Sequence, residues 1–111
     1  MNWIQHKADL LAGKTVQCHP RGNSMEPKIN SGDLVTIEPA NHPLKKGDIV
    51  FCKVKGNYYI HLVERVTQHM GQPASDGHGG GYRYQIGNNK NHTNGTIGQD
   101  QVFGKVIKVE K

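Results

Sequence analysis

Glycine-centred turn signals divide this chain into segments too short for long helices. Ser31-Gly32-Asp33, Lys46-Gly47-Asp48 and Lys55-Gly56-Asn57 each precede a run rich in β-branched, aromatic and apolar residues. Those runs are Leu34 to Ile37, Ile49 to Val54 and Tyr58 to Val66, with Thr15 to Cys18 before them and Tyr82 to Ile86 and Val102 to Val109 after. About six short strands at regular spacing predict a mainly β fold, a compact rolled sheet or barrel. One short helix is expected at the N-terminus. Asn2 can cap it, Trp3, Ile4, Leu10 and Leu11 can share a face, and Gly13 can stop it. Residues 68–81 are Gly-rich without apolar periodicity and predict a mobile loop or long hairpin tip, and 87–98 read as polar and turn-like. With 111 residues and no internal repeat, residues 1–111 are expected to form a single domain.

Composition narrows the function classes. No stretch approaches the roughly 18 apolar residues of a membrane span, and the N-terminus lacks the basic start and apolar middle of a secretory signal. A soluble, cytoplasmic protein without a membrane anchor is the expectation. Cys18 and Cys52 form neither a disulfide framework nor a CxxC pair, so both read as free, buried or half-buried thiols. The net charge of +5 could favour an acidic partner, but the lysines are mostly scattered and no aromatic residues interleave as a stacking platform. Nucleic acid is not the expected partner. His69, Asp76, His78 and His92 lack the fixed short spacing of a structured zinc site, so neither metal nor cofactor is expected.

The most informative segment runs from Arg21 to Val35. Gly22 permits a tight backbone approach, Ser24 stands between a strand and a turn started near Pro27, and Gly32-Asp33 opens the next strand. A serine so placed is exposed, with backbone N–H groups near enough to hold an oxyanion. From the residues alone, an ordinary turn serine fits as well.

Gly22, Ser24, Met25, Pro27, Gly32 and Asp33 resemble the Gly-x-Ser-Met-x-Pro … Gly-Asp nucleophile motif of LexA-type repressors, phage repressors and type I signal peptidases. Gly47-Asp48-Ile49-Val50 resembles that superfamily's Gly-Asp-Ile-Val strand. His61, in Tyr59-Ile60-His61, falls where relatives carry the general base, and Gly87-Asn88-Asn89 resembles the Gly-Asp-Asn box of signal peptidases. The four blocks keep the family's order and, with the closing strand, cover residues 16 to 109.

The resemblance implies the fold of the LexA C-terminal domain, with Ser24 as nucleophile and His61 as base. Most bacterial relatives use lysine there, whereas eukaryotic and archaeal signal peptidases use histidine. Histidine acts near neutrality without a large pKa shift. A plain strand histidine is the other reading of His61. Asn88 replaces the family's aspartate, so Asn88 or the Thr93 hydroxyl would orient the imidazole, while Asn23 and Met25 would shape the oxyanion or substrate site. His92 is either part of the site or a solvated loop residue. Asp33, Asp48 and Glu64 are expected to form turns or salt bridges.

Two functions follow. One is a soluble serine peptidase acting in trans on a peptide or protein substrate. The alternative is a domain of the same fold, weakly active or inactive, that binds a peptide or protein partner. Self-cleavage is not expected, because Ala12-Gly13 lies close to Ser24 at a helix end. A phage setting is implied by resemblance to small standalone members, and an oligomer is left open.

Overall fold

The computed structural model describes residues 3–22, 25–68, 82–88 and 92–111, with Gln68 described for its backbone alone. Helix α1 (Trp3–Leu11) precedes β1 (Val16–Cys18), β2 (Leu34–Pro39), β3 (Ile49–Val54), β4 (Asn57–Gln68), β5 (Tyr82–Gly87), β6 (Thr93–Gly98) and β7 (Val102–Glu110). These strands form one antiparallel seven-stranded sheet in the order β1-β2-β7-β3-β4-β5-β6. The last strand therefore lies inside the sheet, between β2 and β3.

Both faces of the central strands are covered. Phe51 and Ile49 of β3 join Leu10, Val35, Ile37, Ile60 and Phe103 in the core under α1, while Val50, Cys52 and Val54 join Val63, Tyr84, Ile86 and Val102 in a second core. This alternation follows from the two-residue period of a strand, and it explains why Ile49 to Val54 reads as nearly unbroken apolar sequence. Each fully buried side chain of this kind contributes about 1.5–3 kcal/mol. Cys18 and Cys52 are free and buried, as expected.

The hairpin between β3 and β4 turns through Lys55 (φ 51°) and Gly56 (φ 86°), both left-handed, with Val54 paired to Asn57. That is the geometry a two-residue loop needs to follow the strand twist. Helix α1 ends where Gly13 adopts φ 86°, its N–H bonding Leu10 O while Lys14 N–H reaches back to Asp9 O.

Three expectations change. Residues 87–98 are not turn-like throughout, because Thr93–Gly98 pairs with β5 as a seventh strand. Its polar residues are tolerated because β6 is an edge, where Thr93 and Thr96 face solvent and only Ile97 is buried. In α1, Leu10 packs inward and Trp3 is partly buried, but Ile4 and Leu11 are 72% and 67% exposed. The apolar stripe is narrower than four residues, since Ile4 and Leu11 lie seven apart on the far side of the helix from the sheet. Gln68, expected in the loop, instead closes β4 opposite Tyr82, while Asn2 and residues 69–81 lie outside the described residues.

Candidate active site

The segment before the second strand is built from backbone turns. Ile29 N–H bonds Met25 O, Asp33 N–H bonds Asn30 O, and Gly32 N–H bonds Pro20 O. Asp33 also accepts from Asn30 N–H at 2.8 Å and from Lys111 Nζ at 2.9 Å, and the same ammonium donates to the carbonyls of Pro27 and Lys28. The Lys111 hydrogen bond, foremost, holds the Asp33 carboxyl below its ordinary range. Asp33 is thus both turn-former and ion-pair partner. Asp48 likewise accepts Lys45 N–H and pairs with Lys105.

Met25 and Ile29 point from this segment into the core under α1. Together with Trp3, Pro20, Arg21, Gly22, Tyr58, Tyr59, Ile60 and His61 they line a cleft of about 260 Å³. Trp3 stacks on Phe51 and Tyr58, with centroids 5.1 and 6.5 Å apart, so the helix supplies one aromatic wall. Asn23 and Ser24 lie outside the described residues. The residues on either side of them, Gly22 and Met25, both line the cleft that His61 also lines.

His61 stands on β4 opposite Val50 and is 6% exposed, with its ring 4.7 Å from that of Tyr59. Its Nδ1 lies 2.7 Å from Asn94 Oδ1. An amide oxygen can only accept, so Nδ1 carries the proton and Nε2 is the basic nitrogen. Burial lowers the imidazole pKa below its ordinary 6.5, the Asn94 bond opposes that shift, and the nearby His92 adds to it. A buried neutral imidazole with this tautomer can take a proton at Nε2 near neutral pH.

The other expected site residues sit around this centre. Asn88 and His92 close the connection between β5 and β6 reciprocally: Asn88 N–H donates to His92 O, and His92 N–H donates to Asn88 Oδ1. The His92 side chain is exposed and close enough to His61 to act on its charge. Thr93 Oγ1 donates to Glu64 Oε1 at 2.8 Å. Glu64 also accepts from Gln85 Nε2 and so fills a hydrogen-bonding role across strands. Met25 contributes a buried apolar wall.

Asn94 is the residue that sequence reasoning missed. Its signal was obscured because Asn94-Gly95 reads as a hairpin turn, whereas the pair lies within β6. Gly87 pairs with Thr93, but Ile86 pairs with Gly95, leaving Asn94 as an extra, bulged residue. Bulges re-aim side chains, and this one directs an amide toward His61.

Among the described residues, no group of three or more His, Cys, Asp or Glu side chains could hold a metal ion. His69, Asp76 and His78 lie outside them. No described helix is long and apolar enough to cross a membrane.

Compared with known families, residues 4–72 match the family model described as Peptidase S24-like. A comparison with curated proteins finds no significant match. The matched range includes the Gly22–Asp33 segment and His61, whereas Asn94 lies beyond it.

Proposed function

The chain belongs to the Peptidase S24-like family, and we propose that it is a serine peptidase whose Ser24 and His61 cleave a peptide segment in trans. The supporting observation is the state of His61: buried, neutral at physiological pH, and held by Asn94 with Nε2 as the basic nitrogen.

In this reading Ser24 Oγ attacks the substrate carbonyl as its proton passes to His61 Nε2. Backbone N–H groups near Ser24 hold the oxyanion. The imidazolium then returns its proton to the leaving amine, and water resolves the acyl-enzyme through the same base. Asn94 keeps the tautomer fixed throughout. Its neutral amide stabilises the imidazolium less than a carboxylate would, which fits a slow enzyme. The apolar, aromatic-walled cleft suits a side chain of an extended peptide.

That same amide favours a second reading, a peptide-binding domain with the fold but without efficient chemistry. Reaction with a fluorophosphonate probe, for wild type, Ser24→Ala and His61→Ala across about pH 6 to 9, separates the two. Labelling of wild type that is lost in both variants supports the peptidase. Its midpoint on the acid side should fall below 6.5, because burial depresses the His61 pKa. No labelling of wild type at any pH favours the binding domain.

A further inference from the structure

Two bulges face each other across β5. Val63 pairs with Ile86 and Arg65 with Gln85, so Glu64 is the extra residue on β4, as Asn94 is on β6. The first falls opposite Gln85 and Ile86 and the second opposite Ile86 and Gly87, so they meet at Ile86 from opposite sides. Glu64 spans β5 to accept from Thr93 Oγ1 at 2.8 Å, while its neighbour His61 spans β5 to bond Asn94 at 2.7 Å. Gly87 lies beneath the first crossing. A Cβ there would fall on the Glu64 carboxylate, so the absence of a side chain is what opens the path. Gln85 Nε2 holds the same carboxylate oxygen at 3.2 Å. On the other side of Asn94, Gly95 adopts φ 153°, and a Cβ there would lie 3.1 Å from Val54 Cγ1.

Asn94 is therefore set between an anchored threonine and a glycine closely packed on β3. We propose that Glu64 is a positioning residue for the His61 base, acting through Thr93 to hold the β6 bulge at the angle that aims Asn94 at Nδ1. The carboxylate touches neither Asn94 nor His61 in the described hydrogen bonds, and its effect is on geometry. An unpaired bulge residue rotates with the twist of its strand, and fixing the preceding residue removes that freedom. This inference rests on the reading of His61 as a base, but its first test does not require catalysis.

The imidazole tautomer of His61 is measured by long-range ¹H–¹⁵N NMR of the intact protein, with His61→Ala assigning the signals. Wild type should show the Nδ1–H form. Glu64→Ala and Thr93→Val should shift it toward the Nε2–H form, and Gly87→Ala should do the same with the carboxylate still present. Glu64→Gln, which can still accept from Thr93, should restore the wild-type pattern. In parallel, fluorophosphonate labelling should slow about fivefold in Glu64→Ala and Thr93→Val, the effect of losing one ordinary hydrogen bond, and recover in Glu64→Gln. A wild-type tautomer in folded Glu64→Ala and Thr93→Val would overturn the proposal. Wild type that never labels would instead defeat the peptidase reading, and the tautomer would still decide the role of Glu64.

Discussion

His61 and Asn94 meet across an intervening strand, Nδ1 to Oδ1 at 2.7 Å, although 33 positions separate them in the chain. Neither residue would hold this geometry on a regular ladder. His61 is placed by its pairing to Val50, and Asn94 is turned toward it by a bulge. The tautomer of the candidate base therefore depends on a local irregularity of an edge strand.

Replacing Asn94 should move the base in opposite directions according to what replaces it. Asn94→Ala removes a hydrogen bond that raises the His61 pKa, so the acid limb of probe labelling should move to lower pH. Its maximal rate should fall roughly tenfold, near the upper end of what one hydrogen bond contributes. Asn94→Asp places a carboxylate at Nδ1–H, which favours the charged ring and should move the limb to higher pH. Labelling rate against pH for both variants checks the two signs.

Stability should decline on the acid side for a reason unrelated to catalysis. His42 and His61 both have pKa values lowered by burial from 6.5. The unfolded chain therefore binds protons first as pH falls, so the stabilisation is complete above 6.5 and is lost progressively below it. His42 Nδ1 accepts the hydroxyl of buried Tyr84 at 2.7 Å, and that oxygen accepts Leu44 N–H at 3.1 Å. Protonated His42 could not accept. Thermal unfolding from about pH 8 to pH 5 should show a falling Tm, and His42→Gln should flatten part of that slope.

Gly104→Ala should destabilise the fold by about 1–3 kcal/mol, as overpacking does. A Cβ at that position would lie 2.5 Å from Ile37 Cγ2, and 2.9 Å from both Glu38 O and Leu10 Cδ1. One of these is backbone and cannot swing aside. Urea unfolding of the variant against wild type measures the loss, and the midpoint should fall.

Thiol reagents should leave the native protein unmodified at about pH 8, where an exposed cysteine reacts through its thiolate. Burial pushes the Cys52 thiol up to about 12 and raises that of Cys18. For a raised folded pKa the stabilisation is present below the ordinary value of 9.0 and is lost as pH climbs from there toward 12. Alkaline titration of unfolding checks the sign, and both thiols should react at once in denaturant.

Much of the sheet was legible because its strands are short, apolar and punctuated by glycine. Ile49 to Val54 is a strand over the range its composition predicts, since both of its faces are buried. Residues 93–98 were not legible, because an edge strand buries little and can keep a turn-like composition. The site divided similarly. His61 could be placed by its resemblance to the base of relatives, but its partner could not. The partner depends on which residue a bulge leaves unpaired, and the four asparagines between 88 and 94 offer no local signal that separates one from another. Gly87, which the resemblance places in a motif, is also where the Glu64 carboxylate passes over the backbone.

The position of β7 between β2 and β3 sets an order on biosynthesis. While the chain is still being made, β1 can pair with β2, and β3 to β6 with one another, but in the described sheet no strand pairing links the two sets until Val102–Glu110 is present. Until then, the facing edges of β2 and β3 are open to other chains, the state in which strands aggregate. Closing the sheet thus falls to residues 102–110, and a chain cut before them would keep both edges open.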